Sequence, residues 1–506
     1  MTVRPVIVIP SISGVWHGLV GSPAWVWVAL WSLLLIAQTI GPLWYKAPDS
    51  CAYLSIARSL ATAGHPTNLG HDHLMYGVGY PLLISAVFLA DADPFLLLSL
   101  VHTGLAIFYV TGIYFWSRRY AARAALAIAL VAVGNVIVLC NFRRPLSEAF
   151  FLPVMIWLVY ALDVLSNSER VAWAPLAAAA VLISVLVVIR QAGILFAGGF
   201  ALQLAIAAWR KQLSWQRAIG LALAVGLPGV ACVGAMVAYD QQIAAQADAN
   251  SNLDIFLRSA HEVTPDRAIQ PFLWQFAAGI RVRISEIGRL LVPGMFNSYA
   301  TNELWLDPNL IVYVPLFATL VLGYVRLVRR QVNAFAMTMP LYAAIYAYWP
   351  FNQGGRYLMP LLPLLLVCLW FALEKMGQWR VPLLRAVVAI HLGVALGYWL
   401  LVDRPRAVAD ELLWADVHQL ADAIRLQSGR FAMDEGMGDE CMMLDFVLDK
   451  HIPHRLQGQP VDEAADWLIG RVTAPIPSGF SQSEEIGPFR LMCRNILYAR
   501  GRAMIH

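Results

Sequence analysis

Residues 24–83 read AWVWVALWSLLLIAQTIGPLWYKAPDSCAYLSIARSLATAGHPTNLGHDHLMYGVGYPLL. Residues 24–44 contain no Asp, Glu, Lys or Arg, and a helix needs roughly 20 such apolar residues to cross the hydrocarbon core. The segment then turns polar. Asp49 follows Pro48, and Ala52, Tyr53, Ile56 and Leu60 follow at helical spacing. Asp49 thus stands near a helix N-terminus, just outside a first membrane span. A carboxylate is favoured there by the helix dipole, and a simple cap is the alternative role.

The rest of the chain agrees with a membrane class. Of 506 residues, 59% are hydrophobic and 13% charged, with mean hydropathy +0.62; soluble chains carry about 25% charged residues. This argues against a soluble enzyme, a disordered protein or a nucleic-acid binder. Six cysteines without a CxxC pair give no zinc or redox signature. Further stretches free of charge are 94–117, 124–142, 171–189, 191–209, 218–239, 308–325, 332–355, 357–373 and 386–402. The shorter stretch 149–162 also reads as a span. The total is about eleven helices. Residues 80–90 read as re-entrant or interfacial, with a twelfth span as the alternative.

Lys and Arg in short loops set the orientation. With the N-terminus cytoplasmic, inner loops hold Arg118, Arg119, Arg123, Arg170, Arg210, Lys211, Arg217, Arg326, Arg329, Arg330, Lys375, Arg380 and Arg385. Outer short loops hold only Arg143, Arg144, Arg190 and Arg356. The first span reads as an anchor rather than a removed signal peptide. Residues 1–402 form the membrane domain, with long outer loops at 45–93 and 240–307. Residues 403–506 read as a small extracytoplasmic α/β domain: helices at 409–427 and 439–448, and strands at 430–433, 467–472 and 490–499. Cys441 and Cys493 both fall in it, either as a disulfide or as two buried thiols. The inner loops carry no Gly-rich phosphate loop, so an ATPase is not expected.

Three motifs on the outer side resemble the GT-C class of membrane glycosyltransferases. The nearest pattern is that of the bacterial relatives of protein O-mannosyltransferases and of the lipid A aminoarabinose transferase. Matching positions in the first outer loop are Asp49, Tyr53, Ala57, Leu60, Gly64 and Tyr80-Pro81-Leu82. Ser147-Glu148 opens a span, as a Ser-Glu pair often does in that class. Arg356-Tyr357-Leu358-Met359-Pro360-Leu361-Leu362-Pro363 is similar to its Arg-Tyr-Leu-x-Pro-x-x-Pro element. Two positions depart: Ser50 stands where many relatives carry Glu, and a single Pro precedes Leu82. The resemblance covers roughly residues 24–400.

The resemblance implies a multi-pass protein of a bacterial inner membrane that transfers a sugar from a polyprenyl-phosphate donor. The acceptor would be an extracytoplasmic lipid, glycan or protein. Asp49 is the expected general base of an inverting reaction. Arg356, Arg190 and Arg143 are expected on the donor phosphate, because guanidinium binds phosphate oxygens bidentately. Each has a plainer reading: a snorkelling Arg for Arg356, a wetted hairpin turn for Arg190, a solvated loop for Arg143. Glu148, Tyr53, Tyr80 and His71 are expected in support. No cofactor is certain, and a divalent metal is left open but not indicated; the His71-Asp72-His73 run would hold a metal only if extended, and a solvated turn is its other reading. Arg258, His261 and Glu262 lie in the second outer loop without a readable role, and His391 reads as a core histidine. Two other classes remain open on sequence: a lipid or polyol transporter, and a non-catalytic envelope assembly protein.

Overall fold

The computed structural model describes residues 48–69, 71–72, 77–90, 94–168, 172–246, 270–292, 309–348, 354–427, 430–433, 440–448, 452, 465–473, 476–477 and 480–494. The first expected span, His73 and the run Arg258–His261–Glu262 lie outside the described residues.

The described residues up to 425 are mostly helical. Helix α1 (Pro48–Ala63) carries Asp49 in its first turn. A two-residue hairpin, β1 (Thr67–Asn68) and β2 (His71–Asp72), leads to the short α2 (Gly79–Ser85). Then come α3 (Pro94–Ala121), α4 (Ala125–Val133), α5 (Val136–Arg143), α6 (Glu148–Ser166), α7 (Trp173–Ile189), α8 (Ile194–Trp209) and α9 (Trp215–Gln246). The series continues with α10 (Gln270–Leu291), α11 (Leu310–Arg330), α12 (Ala334–Tyr348), a 3₁₀ segment (Gly354–Leu361), α13 (Leu362–Ala372) and α14 (Arg380–Tyr398).

Six described helical runs are long and apolar enough to cross a bilayer, or seven if the bent pair α4–α5 is one span. The bend of 57° has a local cause. Asn135 accepts from the backbone N–H of Ile137 (3.0 Å) and Val138 (3.3 Å). It thereby caps a new helix inside what reads as one continuous apolar stretch. Its Nδ2 donates to Leu290 O at 2.6 Å, tying the break to α10. Helices α7 (17 residues) and α12 (15 residues) are shorter than the roughly 20 residues a full span needs. The two last expected spans belong to one helical run, 355–425, broken at Gly377 (φ +53°).

Close helix packing rests on small residues, as it does wherever both solvents are apolar. A Cβ at Gly323 of α11 would run into the carbonyl of Cys368 in α13. Gly323→Ala must therefore push α11 from α13, at about 1–3 kcal/mol for overpacking. The expected result is a lower unfolding temperature in detergent with α13 intact; an unchanged midpoint would show that the pair has slack.

The last segment is built differently. Helix α15 (Arg404–Arg425) precedes β3 (Phe431–Met433), α16 (Glu440–Leu448), β4 (Trp467–Arg471), β5 (Phe480–Ile486) and β6 (Phe489–Arg494). The sheet order is β3-β4-β6-β5, with β3 and β4 parallel and the other pairs antiparallel. Side-chain alternation sorts it into two faces. Ile469 and Leu491 pack with Val417, Leu420 and Ile424 of α15 and with Leu444 of α16. Leu468 and Met492 face the other way, with Ala432 and Phe480. Strand β5 lies between the two expected strands at 467–472 and 490–499, where the sequence reading places none, and the β5–β6 hairpin turns at Gly487 (φ +55°). Cys493 is a free thiol 3.3 Å from Ser481 Oγ, and the side chain of Cys441 lies outside the described residues.

This segment sits on the helix that bears Asp49. Arg58 of α1 donates to Phe446 O in α16 at 2.7 Å, and its guanidinium lies 4.4 Å from the Phe446 ring centroid. Phe95 at the start of α3 packs against both Trp414 and Phe446.

Candidate active site

Four charged side chains from four distant parts of the chain meet at one end of the helices. Asp49 comes from the first turn of α1, Glu148 from the head of α6, Arg190 from the break after α7, and Arg356 from the 3₁₀ segment. Glu148 is the hub. Its side chain has no solvent exposure. Both of its oxygens accept from Arg356: Oε1 from Nε and Oε2 from Nη2 (3.0 Å). Oε1 also accepts from Arg190 Nη1 at 2.6 Å. Arg356 reaches past Glu148 and donates from Nη1 to Asp49 Oδ2 at 2.6 Å. Two carboxylates and two guanidiniums thus form one chain, Asp49–Arg356–Glu148–Arg190. A buried carboxylate held by two guanidiniums is stable only because it is paired.

Local sequence explains how each member is placed. Arg190 has extended backbone (φ −151°) between two helical segments, so its side chain leaves the helix axis at a break. Its guanidinium lies over the Tyr357 ring at 4.7 Å, a cation–π contact next to Arg356. Tyr342 donates to Tyr357 O at 2.8 Å and fixes the 3₁₀ segment. A Cβ at Gly79 would strike the backbone of Val188, so only glycine lets α2 abut the end of α7 beside Arg190.

The supporting tyrosines form a wall behind the ions. Tyr53 donates to Ser147 Oγ at 3.4 Å, and Ser147 Oγ lies 3.5 Å from Glu148 Oε2. Burial pushes the Tyr53 phenol up to about 12, against the pull of Arg190, so it stays a neutral donor at any working pH. Tyr80 packs edge-on against Tyr53 with centroids 4.9 Å apart, and its hydroxyl meets His102 Nε2 at 3.2 Å. It is a core residue, fully buried, one layer behind the charges.

Two further expected members are not seen in this chain of contacts: Arg143 is paired with another acid, and the side chain of His71 is not described. Arg143, at the end of α5, forms an ion pair with Asp403, which stands in the turn following α14. Its departure from the positive-inside bias thus has a counter-ion 260 positions away, which sequence does not reveal. His71 lies on β2, opposite Asn68, and its side chain is outside the described residues. A second buried pair was not foreseen. Arg283 donates to Glu286 Oε2 at 2.6 Å and lies 3.8 Å from the Tyr346 ring centroid. The i, i+3 spacing on α10 was the available signal, hidden in a stretch read as loop.

Among the described residues no group of three or more His, Cys, Asp or Glu side chains converges as a metal site. The two carboxylates of the network are both occupied by Arg356. A divalent cation on Glu148 would have to displace a bidentate guanidinium.

No protein-family model and no curated protein sequence matches the chain. Solved structures do match its fold. ArnT from Cupriavidus metallidurans, determined with undecaprenyl phosphate bound, aligns with a TM-score of 0.55 at 11% identity, over 94% of this chain and 99% of that one. The oligosaccharyltransferase AglB from Archaeoglobus fulgidus, in complex with an inhibitory peptide and a dolichol-phosphate, aligns with a TM-score of 0.51 at 10% identity, over 88% of this chain and 69% of that one. The Archaeoglobus fulgidus oligosaccharyltransferase in complex with Zn and sulfate gives 0.52 at 12% identity, over 89% and 68%. The chain shares the fold of these structures, the GT-C fold.

Proposed function

We propose that the protein is a glycosyltransferase that moves a sugar from a polyprenyl-phosphate donor to an extracytoplasmic acceptor. The carrying observation is the Asp49–Arg356–Glu148–Arg190 chain, a partly exposed carboxylate bonded to a guanidinium in the GT-C fold. The solved structures of that fold that bind undecaprenyl phosphate and dolichol-phosphate support the donor class. The organisation follows the same reading: a membrane domain over residues 1–402, a small α/β domain over 403–506, about eleven spans, and the C-terminal domain outside a bacterial inner membrane.

In this mechanism the donor phosphate binds to Arg356 and Arg190, replacing Asp49 on Arg356 Nη1. Glu148 keeps both guanidiniums aligned and charged. Asp49, freed from its partner, takes the proton of the acceptor hydroxyl as that oxygen bonds to the anomeric carbon. The bond from that carbon to the phosphate oxygen breaks, and polyprenyl phosphate leaves with both electrons. Arg356 and Arg190 stabilise the charge that develops on it. One base and no covalent intermediate make the reaction inverting.

The test is transfer by purified protein supplied with a panel of undecaprenyl-phosphate sugars and membrane extract as acceptor. Release of undecaprenyl phosphate from one donor is the expected result. No turnover with any donor, from protein shown to be folded, would remove the proposal. Arg356→Lys adds a sharper reading. Lysine keeps the charge but offers no fork to phosphate and Glu148 together. Transfer should fall about tenfold to a hundredfold, the loss expected for a charged hydrogen bond worth about 1.5–3 kcal/mol. Full activity in that variant would place the phosphate elsewhere.

A further inference from the structure

At the other end of the same helices lies a second charged site. Helix α6 runs from Glu148 to Asp163, about 22 Å at 1.5 Å per residue. Residues 356–370 make a parallel journey from Arg356 to Trp370. Both routes end at a cavity of about 450 Å³ lined by Arg119, Arg123, Arg330, Arg380, Trp370 and Glu374, among others. Four guanidiniums face one carboxylate there.

The cavity is built rather than incidental. Arg119 Nη2 donates to Asp163 O at 3.3 Å, and the Tyr120 hydroxyl donates to Asp163 Oδ2. Trp116 Nε1 holds the same oxygen at 3.0 Å, so Asp163 stands behind the wall as a counter-charge to Arg119, and the four guanidiniums still outnumber the two carboxylates, Asp163 and Glu374. Arg330 is tied to Glu374 at 2.7 Å. The Arg380 guanidinium lies over Trp370, 3.1 Å from the ring centroid, and its buried Nε has no hydrogen-bond partner among the described residues. An aromatic shelf carrying a guanidinium, three more guanidiniums and a polar mouth is the chemistry that receives a phosphate ester at a bilayer surface.

We propose that this cavity binds the phosphate of an anionic phospholipid headgroup, or of a soluble phosphoester, on the leaflet opposite the Asp49 network. The inference does not depend on what the network transfers. The test uses the full chain in phosphatidylcholine nanodiscs with and without cardiolipin, read by native mass spectrometry and thermal unfolding. Wild type should retain cardiolipin and gain stability from it. Arg123→Ala, an exposed side chain whose loss leaves the fold intact, should weaken retention about fivefold, the effect of about one basic residue at an anionic surface. Arg123→Ala with Arg380→Ala should weaken it further. Arg210→Ala with Lys211→Ala removes as much charge from exposed positions outside the cavity and should weaken retention less than the Arg123 and Arg380 pair does. Inorganic phosphate as a second probe separates the sources: competition with cardiolipin assigns the phosphate group itself, and stabilisation by phosphate alone assigns a soluble ester. Equal losses in the two double variants, or no preference for either probe, would overturn the site.

Discussion

Glu148→Gln will leave a chain that is both inactive and less stable by about 3–5 kcal/mol, the cost of breaking a buried ion pair from one side. Glutamine keeps the shape of the side chain but not its charge. Glu148 is fully buried and accepts from Arg190 and from two nitrogens of Arg356. Without it, two guanidiniums with 17% exposed side chains stand together with Asp49 as their remaining counter-ion in the network. Their repulsion is what the measurement reads. Thermal unfolding in detergent should show a lowered midpoint, and added inorganic phosphate should restore part of it, because the variant has become a better anion site. Wild type should respond less. If Glu148→Gln melts with wild type and ignores phosphate, the arginines are held by other groups and Glu148 is no hub.

The sequence made the members of this network visible but not their arrangement. Asp49, Glu148 and Arg356 each stand in a short local pattern, and Arg190 stands alone between two apolar runs. What joins them is tertiary: Arg356 and Asp49 are 307 positions apart. Glu148 reads as an ordinary acid at a helix head, and nothing near it in the chain shows that two arginines converge on it. The same limit explains Arg143, whose counter-ion Asp403 follows the last membrane helix.

Elsewhere composition masks local structure. The stretch 124–142 has no charge, so its break at Asn135 reads only as a polar residue in a span; the cap bonds to Ile137 and Val138 make it a corner. Helix α10 contains Arg281, Arg283, Glu286 and Arg289, so a search for charge-free stretches reads the region as loop. Arg283 and Glu286 are nevertheless buried, each the other's partner. Strand β5 presents Ser481, Gln482, Ser483, Glu484 and Glu485 between its apolar ends, Phe480 and Ile486. An edge strand of this kind carries charge to discourage pairing with other chains, and for that reason its sequence lacks the apolar alternation of a strand. The Gly487-Pro488 turn was the signal that would have closed the hairpin.

Asp49→Asn should separate chemistry from architecture in the opposite way to Glu148→Gln. The Asp49 side chain is 25% exposed and meets Arg356 through Oδ2. Asparagine can still offer an oxygen to that guanidinium, and water reaches the position, so the fold should hold. What the amide cannot do is take a proton. Turnover should fall about 10²- to 10⁴-fold, the range for loss of a general base. The donor constant should move the other way. In wild type the incoming phosphate competes with the Asp49 carboxylate for Arg356 Nη1, and in the variant it competes only with a neutral amide. A lower KM for the donor beside a collapsed kcat is therefore the signature of a base that also guards the phosphate site. A loss of stability matching that of Glu148→Gln, with donor affinity reduced, would make Asp49 a structural counter-ion. Activity retained in Asp49→Asn would place the base on another residue. The two variants differ by one carboxylate each on the same guanidinium, so their contrast assigns one acid to holding Arg356 and the other to the acceptor.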